Sequence, residues 1–205
     1  MTSTDGRCVA IPATLAFQPP AGHAARAWRL LERHGLVWVG GAQAGDVEPF
    51  APPTLDGLPL RRVLCGPFDV ATSAPRVVEN FLDTAHFGFV HEGWLGAREH
   101  LEVPDYEVRH DALGRPGVPH YRAWQPQASS AATGGAWVDY RYQLLSPLSA
   151  LLQKQSAQAV TDEAYVLWTC PTGRESCRAW FSICTADAQA DAEALRAFQQ
   201  TIFAQ

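Results

Sequence analysis

At 205 residues, 47% hydrophobic and 18% charged, the chain is long enough for one sizeable core with a small appendage, in an ordinary globular composition. Its 16 Lys and Arg are scattered against 21 Asp and Glu, for a formal net charge of −5, and offer no basic stripe for nucleic acid. No run has the length and apolarity of a transmembrane segment, and Met1 to Arg7 lacks the charged start and apolar stretch of a secretory signal, so a cytoplasmic protein without a membrane partner is expected.

Asp5-Gly6 is a turn signal, and Cys8-Val9-Ala10-Ile11 after it reads as a short strand ending at Pro12. Ala27 to Arg33 and Leu36 to Gly40 read as two strands turned at His34-Gly35, despite good helix formers in the first. Ala42 to Pro59, rich in Gly, Pro, Ala and Asp, reads as a linker. A boundary near Pro49 divides a small unit, 1–48, from a main domain, 49–205. Leu60 to Phe68 opens the main domain as a strand. Ser73 as N-cap and Pro75 in the first turn then start a helix that runs toward Gly88. Tyr106 to His110 alternates as a strand does, a loop surrounds Gly114 to Gly117, and Ala136 to Leu145 is a strong strand pattern that Pro147 ends. Ala164 to Cys170 and Cys177 to Cys184 form a hairpin across Pro171 to Glu175. Asp187 to Gln205 looks helical, with Leu195, Phe198, Ile202 and Phe203 in an apolar stripe. Together these elements make an α+β domain.

The five cysteines are odd in number and show no Cys-x-x-Cys spacing, which argues against a disulfide framework or a zinc ribbon. Cys170 and Cys177 are expected as small buried hydrophobes at facing strand ends. His100, His110 and His120 recur every ten residues in unlike contexts, which reads as coincidence.

The stretch from Glu79 to Gly96 carries the chemistry. Asn80, Asp83, His86 and His91 stand among Phe81, Leu82, Ala85, Phe87, Phe89 and Val90, and such polar groups are costly to bury without partners. Asn80, Asp83 and His86 follow at steps of three, which on a helix makes one polar ridge. His86 and His91 are five apart and would diverge by roughly 140° on an ideal helix. A distortion would bring them together, and Gly88 between them tolerates one, so irregular backbone is expected there. Two neutral imidazoles so placed suit a divalent first-row metal, with Asp83 close enough to hold a ligand's second ring nitrogen. The plain alternative is a pair of core histidines with satisfied partners.

The order Asn-x-x-Asp-x-x-His-x-x-x-x-His, with Leu95-Gly96 following, resembles the mononuclear-iron motif of Rieske-type non-haem iron oxygenases. The branch is that of the vanillate demethylase, dicamba monooxygenase and phthalate dioxygenase oxygenase components. The resemblance implies a helix-grip (START-like) catalytic domain, a curved antiparallel sheet around long helices, preceded by strands remaining from a Rieske domain. It makes His86 and His91 ligands of a mononuclear Fe(II), in a two-His-one-carboxylate triad with positions open for oxygen. Asp83 becomes the bridge that passes an electron from a neighbouring subunit's cluster, and Asn80 a group near the iron. The implied partners are a small aromatic substrate and O2, with an NAD(P)H-dependent reductase or ferredoxin as electron donor, in a homotrimer in the full-length form.

Two features depart from the family pattern. No Cys-x-His followed by Cys-x-x-His occurs, so the [2Fe-2S] Rieske cluster has no ligands in this chain. The third iron ligand is expected on the C-terminal helix just past Gln205, with Asp187, Asp191 and Glu193 as in-chain substitutes. The resemblance is therefore to an oxygenase cut at both ends, inactive alone. An alternative is a non-catalytic helix-grip module for an apolar or aromatic ligand, lined by Phe81, Phe87, Phe89, Trp94, Trp124 and Trp137. A zinc hydrolase is a weaker alternative, since no His-Glu-x-x-His arrangement is present.

Overall fold

The computed structural model describes residues 2–14, 16–41, 60–127, 134–156, 163–187 and 189–205. The chain divides into two compact units, Met1–Ala51 and Pro52–Gln205. The linker read over 42–59, and with it the boundary near Pro49, lies outside the described residues.

In the first unit, β1 (Trp28–Arg33) and β2 (Leu36–Gly41) pair antiparallel from Trp28↔Gly41 to Arg33↔Leu36. His34 and Gly35 both take positive φ, 59° and 75°, which gives the two-residue turn the twist of its strands. The strand expected over Cys8 to Ile11 does not form. Only isolated bridges, Thr2↔Cys8 and Arg7↔Ala24, mark that region. Pro12 and the turn at Gly6 leave too few residues between them for a ladder.

The second unit is a seven-stranded antiparallel sheet with three helices among the described residues. It begins with β3 (Arg61–Val70), α1 (Ala74–Leu82) and α2 (Phe87–Val90). The short β4 (Arg109–His110), β5 (Pro116–Gln125), β6 (Ala136–Ser146) and β7 (Ser149–Ser156) follow. The last elements are β8 (Glu163–Gly173), β9 (Ser176–Thr185) and α3 (Ala192–Phe203). The strand order is β3-β9-β8-β7-β6-β5-β4. This is the α+β, antiparallel architecture expected. Two strands escape the sequence reading: β5, hidden by Pro116, Gly117 and Pro119, and β7. The Tyr106–His110 strand shrinks to two residues.

Register fixes what each face carries. Tyr140, Lys154, Glu163 and Thr185 lie in one row across β6, β7, β8 and β9, and Tyr142, Leu152, Tyr165 and Ile183 in the next. Residues two apart along a strand share a face, so both rows belong to the same side of the sheet. Helix α1 packs there because Ala74, Val77, Val78, Phe81 and Leu82 recur at i, i+3, i+4, i+7 and i+8; Ala74 and Val78 are buried, and the other three are partly buried against the core. Helix α3 places Leu195 and Phe203 in the same core, with Phe203 stacked on Phe68 at 4.1 Å between ring centroids. Asp191 caps α3 by accepting the Glu193 amide at 3.0 Å. Ser73 holds the N-cap position of α1, but its hydroxyl makes no cap bond. Of the two cysteines expected to be buried, Cys177 is, while Cys170 is exposed near the hairpin end.

Candidate metal centre

Helix α1 ends at Leu82, and Asp83 is already extended (φ −76°, ψ 131°). The polar ridge is thus not helical past Asn80. Asp83 and His86 meet across a tight turn in which Asp83 Oδ1 accepts the Ala85 amide at 3.0 Å and Oδ2 accepts from His86 Nδ1 at 2.9 Å. His86 then opens the one-turn helix α2, and His91 closes it at φ −108°, ψ 33°. With helix breaks on both sides, the i, i+5 pair converges: the imidazole centroids are 5.0 Å apart, their planes at 66°.

The distortion expected at Gly88 falls instead at Asp83–Ala85 and at His91. Gly88 is helical and buried, and serves a different need. A Cβ there would sit 2.4 Å from Leu101 Cδ2 and 3.1 Å from Ala97 O, and one on Gly96 would sit 2.5 Å from Gly88 N and Phe87 C. The loop after His91 therefore lies directly on the backbone of α2. Trp94 and Leu95 both donate their amides to the His91 carbonyl at 3.0 Å, and Gln127 N ties Trp94 O to the end of β5 at 3.0 Å.

The second imidazole has its own partner, one absent from the sequence reading. His91 Nδ1 donates to Gln205 Oε1 at 2.9 Å, from beyond the end of α3. An acceptor oxygen on each Nδ1 places a proton there in both rings, so that in the neutral form of each ring the lone pair lies on Nε2. Burial holds the His91 pKa below the usual imidazole range, against the raising effect of the Gln205 bond, and charge on His86 lowers it further. The ring is neutral at pH 7, as a metal ligand requires. Burial alone would raise the Asp83 carboxyl, but the Ala85 amide and then His86 outweigh it and hold the pKa below the ordinary carboxylate range. Asp83 and Asn80 are exposed rather than buried, a correction to the expected apolar setting. The side chain of Asp83 is 44% exposed and that of His86 14%, so the pair runs from solvent inward.

Both histidines and Asn80 line a cavity of about 520 Å³ between α1, α3 and the inner sheet face. Phe81, Phe87, Tyr140, Tyr142, Lys154 and Phe181 are among its walls. Of the aromatics expected to line a pocket, Phe81 and Phe87 line this one, while Trp124 and Trp137 line a second cavity on the other side of Phe87 and Gly88. Phe89 is exposed, Trp94 packs edge-on to Phe198, and Trp124 and Trp137 pack on each other elsewhere. Among the described residues no group of three His, Cys, Asp or Glu gathers to hold a metal. Asp191 and Glu193 start α3, roughly 20 Å along its axis from Gln205, and are engaged in capping and in an ion pair with Arg196 at 3.2 Å. Asp187 accepts the Gln189 amide at 2.8 Å. None of the three stands as a substitute ligand.

Residues 70–205 match the family model of the vanillate O-demethylase oxygenase C-terminal domain. The chain is 36% identical over 174 residues to the "Probable methylxanthine N7-demethylase NdmC" of Pseudomonas sp. (strain TJI-51), covering 84% of this chain and 61% of that protein. It is 29% identical over 102 residues to the vanillate O-demethylase oxygenase subunit of Pseudomonas sp. (strain ATCC 19151), covering 49% and 30% of the two chains. The fold is shared with Pseudomonas putida CBB5 NdmA with caffeine (TM-score 0.79, 22% identity, 99% of this chain and 58% of that one). It is shared too with dicamba monooxygenase bound to 3,6-dichlorosalicylic acid (TM-score 0.71, 17% identity, 100% and 63%). The chain spans about three fifths of the length of the first of these relatives. No helix among the described residues is long and apolar enough to cross a membrane. The chain belongs to the vanillate O-demethylase oxygenase C-terminal domain family.

Proposed function

We propose that residues 49–205 are the mononuclear-iron domain of a Rieske-type oxygenase that demethylates or hydroxylates a small planar aromatic or heteroaromatic substrate, and that residues 1–48 are the end of its cluster-bearing domain. The observation that carries this reading is the pair of imidazoles whose Nδ1 atoms are each held by an oxygen, at 2.9 Å in both cases, leaving two Nε2 lone pairs beside one cavity. Core histidines have no reason to converge in that way, so the donor set fits a divalent iron.

His86 and His91 would hold the iron, which when bound supplies the reductive chemistry of dioxygen. The chain's own part is orientation and exclusion. Asp83 keeps the His86 ring in one tautomer and connects it to the surface, where an electron from a neighbouring subunit's [2Fe-2S] cluster would arrive. Asn80 offers a polar group at the cavity wall. The phenylalanines of that wall keep water from the reacting ring. Electrons would come from NAD(P)H through a reductase or ferredoxin to a homotrimer in the cytoplasm. Methyl removal from a heterocycle is favoured by the identity to NdmC, the highest of those reported above.

Anaerobic Fe(II) titration tests the assignment, on this chain and on a form extended past Gln205 by a helical turn bearing an Asp. The extended form should take up one iron, and His86→Ala or His91→Ala should abolish it. Unchanged iron content in either variant would overturn the assignment.

A further inference from the structure

The chain contains a single lysine. Of its 16 Lys and Arg residues every one is arginine except Lys154. The sequence shows that it is alone, and only the fold shows where it stands. Lys154 points inward from β7, its side chain 6% exposed, and it lines the cavity that the two histidines share. Gln199 of α3 is the other buried polar side chain of those walls among the described residues, and it does not ionise.

An ion pair alone does not call for lysine in that place. Arginine, which the chain uses everywhere else, grips a carboxylate with two parallel hydrogen bonds and keeps its charge in any surroundings. Lys154 makes a poor pair by comparison. Its nitrogen stands 3.8 Å from Glu163 Oε2, beyond hydrogen-bond length, and that oxygen already accepts from the Tyr165 hydroxyl at 2.6 Å. Charges buried at such a separation recover little of the hydration they lose. What lysine can do and arginine cannot is give up its proton and become a nucleophile. The titratable groups that face it are Glu163 and Tyr165 of β8, the Tyr165 ring 5.4 Å from the nitrogen, and Tyr140, its register partner on β6. Burial lowers the Lys154 pKa and outweighs the raising effect of Glu163. Passing the proton to Glu163 leaves a neutral amine beside a neutral acid, with no change in the net charge of the pair.

We propose that Lys154 is a reversible covalent site for small aldehydes, with Glu163 as its proton carrier. The amine nitrogen adds to the aldehyde carbon, and the carbonyl π pair moves to the oxygen. Glu163 takes the surplus proton from nitrogen and supplies one to that oxygen, which gives a neutral carbinolamine. A second proton from Glu163 then lets the C–O bond break, the nitrogen lone pair forms C=N, and water leaves. The products are an iminium beside a carboxylate, so the pair begins and ends at zero net charge and nothing is oxidised or reduced. Water reverses each step and frees the lysine. Only the source of the aldehyde rests on the oxygenase reading, since removing a methyl group by hydroxylating it releases a one-carbon aldehyde within this cavity. The reactivity of Lys154 belongs to the wall itself.

Reductive labelling of the metal-free chain with formaldehyde and cyanoborohydride tests it, because the reductant fixes an iminium as a methylamine that peptide mass spectrometry locates. With one lysine in the chain, the α-amino group is the other amine and serves as the reference that shows the reagents to be active. At pH 7, Lys154 in the folded chain should be labelled at least about tenfold faster than in the same chain unfolded in guanidinium chloride. Between pH 6 and 8 an ordinary lysine gains about tenfold in neutral amine per pH unit, so the unfolded chain should show that slope. In the folded chain the rate should change by less than about threefold, since the proton moves within the pair and need not leave it. Labelling of the α-amino group without Lys154, a folded rate less than tenfold above the unfolded one, or the same steep slope in both states would each overturn the proposal. No metal is needed for this reaction. Iron uptake by the same preparations depends on His86 and His91 and reads the oxygenase assignment separately.

Discussion

Asp83 divides its two oxygens between the chain and the His86 imidazole. Oδ1 fixes the turn through Ala85, and Oδ2 fixes the His86 ring. Replacing it with Asn keeps an oxygen for one of these bonds but removes the charge that lies between solvent and the imidazole. In a reconstituted oxygenase, Asp83→Asn should retain iron and lower product formation about 10–100-fold, the scale on which partners of metal ligands act. Full turnover in that variant would refute a bridging role. At this scale the sequence was informative: the residue types and their order singled out Asn80, Asp83, His86 and His91. It could not reveal Gln205 as the partner of His91, because that contact joins positions 114 apart and depends on where α3 comes to rest. Gln199 left a trace, as a polar residue inside an apolar stripe. Lys154 left none, since its inward orientation depends on a strand whose pattern Gln153 and Lys154 disguise.

At the scale of elements, the site depends on a one-turn helix too short to be stable by itself. Helix α2 persists because the loop after His91 is bound to its backbone, and Gly88 and Gly96 permit that approach. Gly96→Ala would push a methyl into backbone atoms at 2.5 Å, which cannot yield as a flexible side chain can. It should cost about 2–3 kcal/mol and lower the melting temperature by roughly 5–10 °C. Gly134→Ala, where a Cβ meets nothing within 4 Å, is the matched control and should shift stability by no more than about 0.5 kcal/mol. Equal melting of the two variants would show that the loop does not clamp α2. The helices α1 and α3 were legible because their periodicity matches a single buried face, and the hairpin of β8 and β9 because two apolar runs, buried on both faces over much of their length, flank a turn. Strand β5 was hidden because its prolines and glycine sit at its start and at a register shift between Val118 and Tyr121, where a ladder tolerates them.

Over the whole molecule, burial sets the response to alkali. Burial pushes Tyr140 and Tyr165 well above the usual phenol range and raises Tyr142 and Tyr121, and it pushes the Cys184 thiol up to about 11. Folded pKa values above the unfolded ones mean stability that is complete below the unfolded values and is lost as pH rises through the folded ones. The loss should begin near pH ~8.5 with thiols and steepen from about 10 with phenols. Lys154 acts oppositely, since burial lowers its pKa and the unfolded chain keeps that proton longer, but it is one group against several. Denaturant midpoints should therefore fall across this range, and phenolate absorbance of the buried tyrosines should appear together with the loss of circular dichroism. Smooth ionisation near pH ~10 in a chain that stays folded would contradict it.

The bond from Gln205 to His91 also has a consequence in time. A ribosome adds about 5–20 residues per second, so the 114 residues between these partners take roughly 6–23 s to make. During that interval the His86 and His91 rings have emerged, yet His91 is free to turn and to present either nitrogen. A metal captured then would meet an unsorted ligand. Loading of the proposed iron site with the correct geometry belongs after α3 has docked, which makes the helix a timer for that site as well as a wall of its cavity.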